Sequence, residues 1–80
     1  MSINNIPTSF LCPITHNIMT NPYIDNEGNS YEYDAICKWL ERNTSSPITR
    51  NVLLKSHLKP NRALLDIINS SNCLIKFRNY

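Results

Sequence analysis

The sequence predicts a small α+β domain: a β-hairpin, a central helix behind it, and a second helix toward the C-terminus. Three observations predict it. Apolar residues flank a turn that holds the chain's only glycine; an amphipathic run follows directly; and a Pro-Ile-Thr motif stands on either side of that unit, at Pro13–Thr15 and Pro47–Thr49. At 80 residues the chain makes one domain at most.

The elements follow in order. Met1–Thr8 is polar, with Ile3 and Ile6 as its anchors, and predicts a loose start. FLCPITHNIM is an apolar entry into a proline turn. PYIDNEGNSYE reads as a hairpin, Tyr23 and Ile24 on one arm and Ser30 and Tyr31 on the other. Asn26-Glu27-Gly28 makes the turn, and the glycine sits where positive φ is needed. YDAICKWLERN reads as a helix with Ala35, Ile36, Trp39, Leu40 and Asn43 on one side. Asn-Thr-Ser-Ser-Pro breaks it. PNRALLDIINSSN is a second helix, capped by Asn61, with Leu64, Leu65, Ile67 and Ile68 as a broad apolar face. CLIKFRNY leaves strand, helix extension and ordered tail all open.

Composition excludes several classes. The chain is 41% hydrophobic and 18% charged, which is not a disordered composition. A net charge of +2 on scattered basic residues makes no nucleic-acid stripe. No apolar run approaches the ~20 residues that cross a membrane. Three widely spaced cysteines, Cys12, Cys37 and Cys73, behind a start without a secretory signal, point to a reducing compartment rather than a disulfide framework. The expectation is an intracellular protein, cytoplasmic or nuclear, or in a host's cytoplasm should its source be a pathogen.

The repeated motif extends further, since PITHNIM lines up with PITRNVL. Its offset equals a helical-repeat period of about 34 residues. The flanks TNPYIDNEG and KSHLKPNRA diverge, so this is one pair of similar loops and not an array. Proline stiffens each loop, and the Thr hydroxyl can cap the short turn after it. Ile14 either points into the core or serves as an apolar tip. Two stiff loops with an amphipathic helix between them also describe a shallow groove for a protein partner. Cys12, His16, Cys37 and His57 could be counted as four zinc ligands, but no Cys-x-x-Cys pair exists, and no metal or other cofactor is expected. A catalytic thiol is not expected either. Cys12 and Cys37 sit among apolar residues, and nothing beside Cys73 looks like an activating base.

From Ile6 to Ile68 the chain resembles the U-box domain, the zinc-free, RING-like fold of ubiquitin ligases. The resemblance rests on IPTSFLCPITHNIMTNPYI, Gly28, SYE at Ser30–Glu32, AICKWL at Ala35–Leu40, SPIT at Ser46–Thr49 and LKPNRALLDII at Leu58–Ile68. It implies a U-box domain over residues 6–71, between a flexible N-terminus (1–5) and a tail (72–80) of unknown role. It implies that the two loops and the helix dock a ubiquitin-conjugating enzyme through Ile14, His16, Trp39, Pro47 and Ile48. His16 departs from the larger aromatic or apolar residue often found at that place. Arg50 stands where active members carry a basic residue that touches both the conjugating enzyme and ubiquitin. Glu32, Ser46 and Asn61 match positions whose polar bonds take over from metal. The implied function is a ubiquitin-protein ligase that promotes transfer to a substrate lysine without a covalent intermediate of its own. The alternative is a non-catalytic adaptor, which would not need Arg50. The protein substrate is not legible; the tail, a larger parent chain or a homodimer would each supply a surface to recruit it.

Overall fold

The computed structural model describes residues 6–70. A short 3-10 turn over Thr8–Phe10 leads into the first proline loop. The hairpin strands are β1 (Pro22–Ile24) and β2 (Ser30–Glu32), paired antiparallel with Tyr23 opposite Tyr31. Gly28, at φ +90°, makes the turn between them. Helix α1 (Tyr33–Leu40) follows β2 without a linker. The second proline loop, a 3-10 turn over Lys55–His57 and helix α2 (Arg62–Ser70) complete the described chain.

A third strand, β3 (Lys59–Pro60), corrects the sequence reading, which took Pro60 only as the approach to a helix cap. It pairs antiparallel with β1, giving the order β2-β1-β3. Two residues carry no periodic signal. Proline lacks an N–H to donate, so its place on an edge strand is the permitted one.

Both helices differ from the sequence reading at one point. Helix α1 stops at Leu40, and Asn43 is not part of its apolar face. Instead Asn43 caps the end: its backbone N–H and its side-chain Nδ2 both donate to the Trp39 carbonyl, at 3.1 and 3.0 Å. In α2 only Ile68 is buried, Leu64 and Leu65 are half-buried, and Ile67 is 54% exposed. The Asn61 cap is present, its Oδ1 accepting the Leu64 N–H at 3.1 Å.

The core is thin. Phe10, Cys12, Met19, Tyr31, Ile36, Leu53 and Ile68 are buried, and Ile14, Trp39, Leu40, Leu58 and Leu64 are among those packed partly against them. Among the described residues, no helix is long and apolar enough to cross a membrane. Ile36 is fully buried on α1, so Ile36→Ala should cost about 2–5 kcal/mol of stability. Ile67→Ala should stay within about 0.5 kcal/mol of wild type. Urea unfolding of both variants checks this; equal losses would contradict the packing.

Candidate functional site

The repeated motif is one hydrogen-bonded loop built twice. Loop 1 is closed by a bridge between Leu11 and Ile18, loop 2 by a bridge between Ser45 and Val52. In loop 1 the Cys12 N–H donates to the Asn17 carbonyl at 2.9 Å and the His16 N–H to the Cys12 carbonyl at 2.7 Å. In loop 2 the Ser46 N–H donates to the Asn51 carbonyl at 2.8 Å and the Arg50 N–H to the Ser46 carbonyl at 2.9 Å. The threonines correspond too: Thr15 Oγ1 accepts the Asn17 N–H, and Thr49 Oγ1 the Asn51 N–H, each at 3.2 Å. Below each loop a buried apolar residue, Met19 or Leu53, donates its N–H back across the entry, to Phe10 or Thr44.

Cys12 and Ser46 occupy the same place and do the same work. Cys12 Sγ accepts the Ile14 N–H at 3.4 Å, and Ser46 Oγ accepts those of Ile48 and Thr49 at 3.1 Å. Both then reach β2. Cys12 Sγ accepts the Glu32 N–H at 3.3 Å, while Ser46 Oγ lies 3.3 Å from the Tyr31 hydroxyl. The two loops therefore hang from adjacent residues of one strand.

The turn after each proline forces one residue into left-handed backbone. These are His16 at φ 63° and Arg50 at φ 68°, neither of them glycine. Such a conformation costs roughly 1–2 kcal/mol for an L-residue and is a mark of functional loops. Both side chains are exposed.

Trp39, half-buried on α1, joins the helix to loop 2. Its Nε1–H donates to the Ser45 carbonyl at 2.6 Å. The Arg50 guanidinium lies over its ring, 5.7 Å from the centroid, a cation–π distance. Ile14 and Pro47 are half-buried, and Ile14 packs against the core. Ile48 is 48% exposed and lines an open cleft of about 420 Å³ with Pro13, Asn29, Asn61 and Leu64, apart from Trp39 and Arg50.

Carboxylates fix this frame from below. Asp25, 5% exposed, accepts the Glu27 and Asn29 N–H groups on Oδ1, at 2.8 and 2.9 Å. Its Oδ2 accepts the Tyr31 hydroxyl proton at 2.8 Å. With that single proton committed, the Ser46 hydroxyl is the donor in its contact with Tyr31. Glu32 takes the Thr20 N–H and hydroxyl, each at 2.8 Å, and the Asn21 N–H at 3.2 Å. Asn61 Nδ2 donates to Ser30 Oγ at 2.8 Å. Glu27 receives Thr49 Oγ1 at 2.7 Å and Asn51 Nδ2 at 2.6 Å. Among the described residues, no buried side-chain nitrogen or oxygen lacks a partner.

Asp25 and Glu27 were missed from the sequence. An Asp ahead of Asn-Glu-Gly is a turn signal, and that signal could have found Asp25. Nothing local points Glu27 across to loop 2. Among the described residues no three His, Cys, Asp or Glu side chains gather as a metal site would require. Of the zinc candidates weighed above, His57 Nδ1 accepts the Leu54 N–H and Cys12 the two N–H groups named. Cys12 and Cys37 are free thiols; Cys73 and the rest of the tail lie outside the described residues.

A three-stranded sheet with two helices, carrying two like loops braced by hydrogen bonds, is the RING-like class of fold. The U-box domain profile matches residues 6–72. The chain is 43% identical over 65 residues to U-box domain-containing protein 51 of Arabidopsis thaliana, covering 81% of this chain and 8% of that protein. It is 40% identical over 67 residues to E3 ubiquitin-protein ligase PUB22 of Arabidopsis thaliana, covering 81% of this chain and 15% of that one. The solution structure of the RING finger-like domain of Retinoblastoma Binding Protein-6 superposes with TM-score 0.74 at 28% identity, over 84% of this chain and 77% of that one. The chain belongs to the U-box family, and it spans a small fraction of the length of these curated relatives.

The buried Tyr31 hydroxyl carries the first prediction about the site. Tyr31→Phe removes the donor to Asp25 and the acceptor for Ser46, and should cost about 1–3 kcal/mol. The Tyr31 pKa is pushed up to about 12, first by burial; the Ser46 bond opposes the shift, while the bond to Asp25 and its charge add to it. An unfolded tyrosine titrates near pH ~10. Stability from Tyr31 is thus complete below pH ~10 and is lost as pH rises from ~10 to ~12. Urea midpoints across that window should fall less steeply for Tyr31→Phe than for wild type.

Proposed function

We propose that the domain acts as a ubiquitin-protein ligase module that docks a charged ubiquitin-conjugating enzyme and promotes discharge to a lysine. The observation that carries the reading is the placement of Arg50: exposed, on a stiff loop, over the half-buried Trp39. Family membership supports the same reading, since the similar Arabidopsis PUB22 is named an E3 ubiquitin-protein ligase.

The chemistry asked of the domain is positioning. Ubiquitin is held on the conjugating enzyme as a thioester. The lysine amine attacks its carbonyl carbon, a C–N bond forms as the C–S bond breaks, the enzyme's cysteine leaves as the thiolate, and the proton lost from the amine passes to solvent. Ile14, His16, Trp39, Pro47 and Ile48 would meet the conjugating enzyme. Arg50 would lift from the Trp39 ring and donate to carbonyls on the enzyme and on ubiquitin together, holding the thioester in its reactive pose. A lysine there would supply one point charge without the planar fork. The free thiols Cys12 and Cys37 suit a reducing compartment. The tail, a larger parent chain or a homodimer would each supply a surface for substrate recruitment; the curated relatives are far longer than the stretch they share with this chain.

Docking and transfer should separate by mutation. Ile14→Ala should weaken binding of the uncharged enzyme by about 1–3 kcal/mol, roughly 5- to 150-fold. Its folding cost should stay below the ~2–5 kcal/mol of a buried isoleucine, because Ile14 is only partly covered. Calorimetric titration and urea unfolding on the same variant decide it; unfolding of the domain by Ile14→Ala would make that residue core.

Arg50→Ala should slow single-turnover lysine discharge by about 10- to 100-fold, with binding changed only a few-fold. Arg50→Gly should slow it as much, yet raise stability by up to about 1 kcal/mol, because glycine accepts φ 68° without strain. No loss in either variant, beside a wild type that does not accelerate discharge, would favour a docking adaptor.

A further inference from the structure

The two loops are each other's control. Loop 1 folds with the same backbone bonds as loop 2, and among the described residues no carboxylate grips Thr15 and Asn17. Loop 2 has such a grip. Glu27, on the hairpin turn, takes the Thr49 hydroxyl on one carboxylate oxygen at 2.7 Å and the Asn51 amide on the other at 2.6 Å. These are the residues immediately before and after Arg50. Since loop 1 reaches its left-handed turn at His16 without a clamp, folding the turn does not require one. The clamp is therefore particular to loop 2, the loop that carries Arg50 between the two gripped residues.

We propose that Glu27 is a positioning residue for Arg50: it pins both neighbours, so the guanidinium leaves from a fixed base when it reaches toward ubiquitin. The proposal rests on the ligase reading of Arg50. The anchor of the clamp is itself fixed. The Glu27 N–H donates to Asp25 at 2.8 Å, and Asp25 holds Tyr31, which meets Ser46 at the start of the same loop. Loop 2 is thus held at its first residue from the core and around Arg50 from the hairpin turn. Both Glu27 bonds are charge-assisted. They stand in solvent, so their contribution to global stability is small and their effect is local order.

The test compares wild type, Glu27→Ala, Glu27→Gln, Arg50→Ala and the double variant, in single-turnover lysine discharge at saturating domain and in binding of the uncharged conjugating enzyme. Glu27→Ala should slow discharge by about 3- to 10-fold, the range expected when an otherwise ordered side chain must be immobilised anew. Binding should stay within about twofold. Glu27→Gln, which keeps one carbonyl acceptor, should recover part of the rate. The double variant should be no slower than Arg50→Ala alone, because a residue acting only through Arg50 adds nothing once Arg50 is gone. Multiplicative losses would overturn the positioning role. So would a Glu27→Ala rate equal to that of an active wild type, which would leave the ligase reading standing. A wild type without stimulation would instead remove the ligase reading, and the positioning role with it.

Discussion

Asp25, Tyr31 and Ser46 share one buried chain of hydrogen bonds, and most of the domain's geometry follows from it. Asp25 closes the hairpin turn by taking two backbone N–H groups, and its other oxygen takes the Tyr31 proton. Tyr31 occupies the middle of β2 and is fully buried among the core residues. Its oxygen meets Ser46, which in turn shapes loop 2 by accepting from Ile48 and Thr49. Turn, strand, core and loop are thereby fixed by three side chains. A carboxylate at 5% exposure is costly unless its oxygens are satisfied. Here each one is, and the low-dielectric setting that makes an unpaired group expensive also strengthens these bonds.

This arrangement explains how a chain with so small a core holds two stiff loops. Hydrophobic burial is nondirectional; it favours compactness and does not aim a loop. Hydrogen bonds have narrow angular preferences and can aim one. The division is visible in the residues themselves. Phe10, Met19, Ile36, Leu53 and Ile68 supply burial. Cys12, Asp25, Glu27, Glu32, Ser46 and Asn61 supply direction. That Cys12 and Ser46 stand at equivalent places shows that a weak sulfur acceptor and a hydroxyl can each organise the same loop.

The loops also store strain at the positions proposed to act. His16 and Arg50 are held left-handed although the chain's single glycine is spent on the hairpin turn. In loop 2 the strained residue is braced on three sides: Thr49 and Asn51 by Glu27, Ser46 by Tyr31, and the guanidinium by the Trp39 ring. A side chain used to orient a reaction gains from a fixed base, since freedom removed in the free protein need not be removed again in the reactive complex.

What the sequence determined by itself was local. The hairpin is legible because alternation and a glycine turn act over a few residues, and α1 because Ile36 and Leu40 recur at the helical period. The Asn61 cap is legible because it bonds a residue three positions on. The U-box resemblance is legible because it resides in blocks of consecutive residues. The identity of the two loops was also visible, in Pro-Ile-Thr twice. Tertiary structure decided the rest. It set the end of α1, where Asn43 turns back on Trp39, and the strand β3, whose two residues acquire their state only by lying beside β1. It decided that Ile67 faces outward while Ile68 is buried. It decided, above all, that Glu27 grips loop 2 and that Arg50 rests on Trp39. Such contacts join residues far apart in the chain, and their geometry depends on how the hairpin, helix and loop pack together. Periodicity and turn preference report on neighbours along the backbone, so they carry no record of a bond made across the fold.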